Sequence, residues 1–471
     1  MGAMCLTCGI LLCLPLFCSS DSWGQTVTTA APENLPATIG TWTQIAKLTT
    51  RDGAKNDQLG FFVSASGNTL VVGAPYAKIG SHEGQGAVYV FVKPAGGWAQ
   101  VGKAAAKLTA SDGAVNATFG FSVAISDDTV VVGADSANLG SKQYAGAAYV
   151  FVKPATGWAD ATQTAKLTAS DSEGTAYFGS SVSISGDTVV VGADGARVGS
   201  NPYQGAAYIF VRPANAWKDM SQTAKLTAAD GMRGSQLGYS ASISHDTVAV
   251  GARSATVAAH ARQGAAYVFV KPAGGWENMT QTAELTASEG MVDDQFGSSV
   301  SISGDQVAVG APGSGSAYVF VKPATGWAPT SKFNARLTAS DRAQNTQLGW
   351  AVSVNGDRVA VGARSAPIAA NSRQGAAYIF VKPAGGWENM TETAKLTASD
   401  GQSNDELGAS VLVSVDAVVV GAPGAALGPN KYEGAVYVFG SSAASAGSAQ
   451  EPAAHANLVV IHSDAAPVTE H

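Results

Sequence analysis

Seven times along the chain two glycines recur thirteen residues apart, and no other feature restricts the fold so tightly. The first of each pair is Gly60, Gly120, Gly179, Gly238, Gly297, Gly349 or Gly408, so the steps are 60, 59, 59, 59, 52 and 59 residues. The second is Gly73, Gly133, Gly192, Gly251, Gly310, Gly362 or Gly421, and a tyrosine keeps step at Tyr89, Tyr149, Tyr208, Tyr267, Tyr318, Tyr378 and Tyr437. Self-similarity at a fixed period identifies one structural unit used repeatedly, with each copy stacked on its neighbours.

The unit is legible in the second copy. Phe121, Val123 and Ile125 alternate with Gly120, Ser122 and Ala124, the period of a strand. Ser126-Asp127-Asp128-Thr129 can reverse the chain through side chains that bond their own backbone, leading into Val130-Val131-Val132. That run has no polar face, so both its sides are expected to be covered. Ala147 to Val152 reads as a third strand of the same kind, and Trp158 to Thr168 as a fourth. Helix has little support.

Composition enters as a check on this reading. Charged residues are 13 % of the chain and glycines number 55 of 471, which suits packed sheets joined by many turns. The net charge of −7, with no basic block, argues against a nucleic-acid surface.

The ends stand apart from the repeat. Ile10 to Phe17 is a short apolar run followed by small polar residues, too short for a membrane span, so residues 1–24 read as a secretory signal although no Lys or Arg precedes the run. All four cysteines, Cys5, Cys8, Cys13 and Cys18, fall in it, which leaves the mature chain without disulfides. Residues 25–40 read as a polar linker and 441–471 as a mobile tail rich in Ala, Ser and Pro. No second apolar stretch is long enough to cross a membrane, and a secreted or periplasmic monomer is the expectation.

Copies one to six run on into V-K/R-P-A-x-x-W and then A-x-L-T, with Trp98, Trp158, Trp217, Trp276, Trp327 and Trp387. The seventh stops at Phe439-Gly440, while Trp42 to Thr49 at the other end carries the missing pattern. A ring of sheets in which the first strand completes the last sheet accounts for both, and closure removes the unpaired edge. The tryptophans, Trp42 included, are assigned to packing between units because a core role repeats whereas a specific site does not.

The F/L-G start, the G-A-P at Gly73-Ala74-Pro75, Gly310-Ala311-Pro312 and Gly421-Ala422-Pro423, and the A-Y-V-F strand resemble the FG-GAP repeat family. The resemblance covers residues 41–440, with copies starting near 59, 119, 178, 237, 296, 348 and 407. It implies the all-β, seven-bladed propeller of integrin α-subunit heads and secreted bacterial proteins, with four antiparallel strands per blade. It also implies a binding or adhesion scaffold, although propellers host many functions.

The connections between second and third strands, and between fourth strand and next blade, are long and fall on one face. There the copies differ, at Tyr76 and His82, Tyr144, Arg197 and Tyr203, Arg253 and Arg262, Arg364 and Arg373, and Tyr432, while the fifth connection is cut to Pro312 to Ser316. Varied loops on a constant scaffold are where binding sits. The arginines point to an anionic patch on a protein or surface-glycan partner. A lectin with like sites in every blade is the alternative, and these varied loops fit it less well than one larger site.

A calcium-stabilised scaffold is a further reading. The family's calcium loop of alternating carboxylates is not matched here, since the turn at Ser185-Gly186-Asp187-Thr188 offers one carboxylate. A ring of acids recurs at Asp52, Asp112, Asp171, Asp230, Glu289, Asp341 and Asp400, and Asp293, Asp294 and Asp405 are added candidates, so no cofactor is expected beyond this calcium option. Sequences typical of hydrolases, zinc peptidases and phosphate loops are absent, and three of six histidines lie in the tail, so an enzyme is not expected. The sequons at Asn116, Asn278 and Asn389 matter only in a eukaryotic secretory route.

Overall fold

The computed structural model describes residues 41–441 apart from 101–102, 215 and 342–344. The expected signal, its cysteines, the linker and all but the first residue of the tail lie outside the described residues. Within them, regular structure is strand apart from one 3-10 turn at Trp98–Gln100, and no helix is long and apolar enough to cross a membrane.

Seven sheets form, one per repeat. In the second blade the inner strand Ser122–Ser126 pairs antiparallel with Thr129–Ala134, which pairs with Ala147–Val152, which pairs with the outer strand Ala165–Thr168. Every residue of Thr129–Ala134 is buried, because sheets on either side cover both faces of its valines. A core cluster joins Val131, Ala148 and Val150 of this blade to Val189, Val191, Phe210 and Trp217 of the next, so that tryptophan packs between blades as the repeat implies.

Two polar devices hold neighbouring blades in register. Ser122 Oγ donates to Gly179 O at 2.8 Å, and the same contact recurs from Ser181 to Gly238 and from Ser240 to Gly297. At Gly133 a Cβ would overlap Gly179 O, which is why the second glycine of each pair tolerates no side chain. Inner strands, whose outward edge has no strand partner, bond to hydroxyls of the blade before. Ile243 N donates to Ser183 Oγ at 3.1 Å, Ile302 N to Ser242 Oγ at 3.1 Å, and Val413 N to Ser353 Oγ at 3.1 Å. In the S-x-S-I-S pattern the first buried serine thus donates to a carbonyl of the next blade and the second accepts from its backbone N–H.

The ring closes through the first strand. Trp42–Leu48 runs antiparallel to Ala435–Ser441, pairing Lys47 with Tyr437 and Leu48 with Val436. It completes the sheet of Ser410–Val413 and Ala417–Ala422. On the far side of that sheet, Ser410 Oγ donates to Gly60 O at 2.8 Å, as at the other junctions.

Three details differ from the sequence reading. The fourth strand does not run from Trp158 to Thr168; Ala161–Thr162 instead crosses to the first blade and pairs parallel with Leu108 and Thr109, and only Ala165–Thr168 stays. Four sheets therefore have five strands and three have four. The side chains beside this crossing explain it. Lys107 N donates to Asp160 Oδ1 at 2.7 Å, and Gln163 accepts from Ser111 N at 2.9 Å while its Nε2 donates to Ser111 Oγ at 2.8 Å.

Finally, Trp42 does not occupy the place of the other tryptophans. Aligned on A-K-L-T it stands where Ala161 does, half-buried, with Arg358 over its ring at 5.9 Å. Gln44, at the Gln163 position, makes the repeating contact by accepting from Ser399 N at 3.0 Å.

Candidate functional site: the face of the long connections

Each full-length second-to-third connection pairs with the chain entering the next blade. Asn116 N donates to Glu83 O at 2.9 Å, Thr118 N to Gly84 O at 3.1 Å and Phe119 N to Gln85 O at 2.9 Å, and the same ladder recurs around the ring. The two long connections therefore share one face, as the sequence implies, and they are braced at their bases. His82 Nδ1 lies 3.0 Å from Gln85 Oε1, and Gln85 Nε2 donates to Ala110 O at 3.4 Å. Asn201 with Gln204, His260 with Gln263, and Asn371 with Gln374 repeat that brace. The structure thus places His82 in the scaffold of a loop rather than at its tip.

The loop residues that accept from the entering chain are conformationally special. Tyr144, Tyr203, Arg262, Arg373 and Tyr432 have φ of 53°, 55°, 53°, 52° and 57°, and the corresponding residue of the first blade is Gly84 at 62°. A side chain in this left-handed region costs on the order of 1 kcal/mol relative to glycine. Five of the six full-length loops nevertheless carry Tyr or Arg there. The three tyrosines are exposed, and Tyr144 packs on Tyr177 with centroids 6.0 Å apart. Rim arginines face acids of the adjoining connection: Arg197 pairs with Glu173 at 3.2 Å, and Arg262 and Arg373 pair with Asp293 and Glu406.

Nearer the axis, the residue after the F/L-G glycine meets a residue just after the second G-A in three blades. In the fourth blade Arg253 lies over Tyr239 at 4.1 Å and Nη1 donates to its hydroxyl at 2.9 Å. In the sixth, Arg364 lies over Trp350 at 3.1 Å and Nε donates to Gln347 Oε1 at 3.0 Å. In the first, Phe61 meets Tyr76 edge-on at 6.2 Å and Phe121 at 5.2 Å.

A funnel of about 2010 Å³ opens on this face, off-centre. It gathers Tyr76, Tyr144, Arg364, Arg373 and Tyr432 of the residues singled out in the sequence, and the cut fifth connection forms its low wall. Arg197, Tyr203, Arg253 and Arg262 lie on the third and fourth blades outside it. Sequence reasoning missed Phe61, Arg336, Gln347 and Trp350, which also line it. Phe61 and Trp350 were findable, since their column reads Phe61, Phe121, Ser180, Tyr239, Ser298, Trp350, Ala409 in an otherwise repetitive strand.

The recurring acids have structural partners. Asp52 accepts from Tyr89 Oη at 3.2 Å and pairs with Lys107 at 2.7 Å, with Lys107 5.3 Å from the tyrosine ring. Asp400, Tyr437 and Lys47 repeat the triad across the closure. Burial pushes the Asp52, Asp112 and Asp400 carboxyls up, but the paired lysines and hydrogen bonds outweigh it and hold them below the usual range. The fourth blade breaks the pattern. Glu284 stands in the lysine position, and burial followed by the Asp230 charge pushes its carboxyl up.

Asp294 and Asp405 cap their own turns, accepting from Met291 N at 2.7 Å and Gln402 N at 2.8 Å, and burial raises both. Asp293 pairs with Arg262. No group of three or more His, Cys, Asp or Glu among the described residues is arranged to hold a metal ion.

The family model described as FG-GAP repeat matches residues 42–91, 103–151, 161–210, 220–269, 279–320, 332–380 and 390–439. Comparison with curated proteins returned no match.

Proposed function

Because the chain belongs to the FG-GAP repeat family, we propose that it is a secreted, non-catalytic scaffold that binds a protein or surface partner through the face of its long connections. One observation carries this reading: five of the six full-length loops bear Tyr or Arg at a left-handed position where glycine is cheapest. Positions kept in a costly conformation with large exposed side chains are those where contact with something else compensates for the strain. The funnel adds concavity, and no histidine, cysteine or lysine lines it.

The test replaces residues 253–264 and 364–375 with Pro312-Gly313-Ser314-Gly315, the connection the fifth blade already uses. Partners retained by the wild-type chain from its native medium should be lost by this variant while circular dichroism stays unchanged. Retention of the same partners by both proteins excludes this face.

A further inference from the structure

The funnel runs against the charge of the whole chain. The protein has a net charge of −7, yet the charged side chains lining the funnel are three arginines, Arg336, Arg364 and Arg373, against one acid, Glu406; Arg373 pairs with Glu406 and Arg336 with Glu289 behind the wall, which leaves a surplus of one positive charge. The cut fifth connection produces this. Four residues separate strand ends Ala311 and Ser316, whereas twelve separate Ala363 and Ala376. Behind the gap Arg336 stands on the outer strand, at the position of Lys107 in the first blade, and reaches the funnel.

Both central guanidiniums are held in place before any ligand arrives. Arg336 Nε donates to Ser316 Oγ at 3.0 Å and Nη1 pairs with Glu289 at 2.8 Å. Arg364 is fixed by Trp350 and Gln347. Planar guanidiniums ordered in advance suit carboxylates, and their prior ordering lowers the entropy cost of binding.

We infer that the funnel takes an acidic peptide segment of a partner protein, with carboxylates at Arg364 and Arg336 and the chain leaving over the fifth-blade notch. This rests on the reading of the loop face as the binding face. A peptide fits better than an acidic glycan because the aromatic faces near the axis are not bare: Trp350 is 3 % exposed beneath Arg364, and Phe61 is 8 % exposed against Phe121, while the exposed Tyr144 and Tyr432 belong to the second and seventh blades and not to the fifth and sixth that carry Arg336 and Arg364. Sugar rings stack on open aromatic faces. The wall instead offers carboxamides, Asn56, Gln58, Asn116, Gln295 and Asn345, which both donate and accept and so match a peptide backbone.

Fluorescence anisotropy with a labelled Glu-Gly repeat peptide, its Gln-Gly counterpart and an oligogalacturonate tests this. The Glu-Gly peptide should bind, weaken as salt rises, and lose affinity about tenfold with Arg364→Gln, the loss expected of one charge-assisted hydrogen bond. A second variant, with residues 135–146 in place of 312–315, raises the low wall and should abolish binding at an unchanged melting temperature. Equal binding of both peptides, preference for the oligogalacturonate, or full binding by both variants overturns the inference. If the peptide fails while partners still depend on the 253–264 and 364–375 connections, the loop-face reading stands and only the peptide assignment falls.

Discussion

The two faces of the propeller are built from the same repeat and have diverged to different extents. On the face opposite the funnel, Lys153 pairs with Asp128, Arg212 with Asp187, Lys271 with Asp246, Lys322 with Asp305 and Lys382 with Asp357, each within one blade. The first blade has Asn68 in its turn and Lys93 reaches Asp416 of the seventh instead. That face is a near-copy from the second blade to the sixth, and the first and seventh share one pair across the closure. On the funnel face the corresponding positions run through Gly, Tyr and Arg, and one connection is cut short. Repetition therefore marks what the ring needs to stand, and divergence marks what it presents.

The sharpest division between scaffold and presented surface comes from removing the closing strand. Deletion of residues 41–49 takes away the partner of Ala435–Ser441, the Gln44 brace and the Lys47–Asp400 pair. The melting temperature should fall by more than about 10 °C, or cooperative unfolding should vanish. Within that strand, Leu48→Ala should cost about 2–5 kcal/mol in denaturant unfolding, because Leu48 is 1 % exposed, and should exceed Trp42→Ala, whose ring is half-buried. The reverse order of these two costs would place the closing strand wrongly.

A change on the presented face should behave oppositely. Shortening the 253–264 and 364–375 connections should move the melting temperature by no more than about 3 °C, since loop length alone costs little. A collapse in stability there would erase the distinction between the faces.

Smaller still is the effect at the scaffold triad in which an acid stands in place of the cation. Glu284→Lys should raise the melting temperature by about 1–2 °C at neutral pH by restoring the pair with Asp230. The sign with pH is fixed by the raised carboxyl. A folded-state value above the unfolded one makes ionised Glu284 unfavourable, so the advantage of Glu284→Lys should shrink as pH falls through it. An advantage that grows on acidification would contradict this. Least of all should happen at Lys153→Met, which breaks an exposed pair worth about 0–1 kcal/mol.

The ring, its number of blades and its closure were legible because each is encoded in a period, and a period survives substitution at any one residue. The outer strand was not, because Asp160 and Gln163 act on the preceding blade, a contact 52 or 53 residues away. Trp42 shows the same difficulty in miniature. Its identity matches the other tryptophans, while its spacing to A-K-L-T and the contact made by Gln44 assign it elsewhere. What the acids of the connecting turns bond to was not legible, because sequence carries their charge but not Tyr89 and Lys107, which come from two other strands. The candidate site was half legible: loop residues declared themselves by variation, whereas Arg336 looks like any outer-strand cation until the missing fifth loop exposes it.

The central claim is that recognition belongs to one face of the ring, and amide hydrogen exchange on the complex with a captured partner reads both faces at once. Protection should appear in 75–86, 135–146, 364–375 and 423–434 and at the 312–316 notch, while the turns at 93–98, 153–158 and 382–387 exchange as in the free protein. Protection confined to those turns, with the long connections unchanged, would contradict the account.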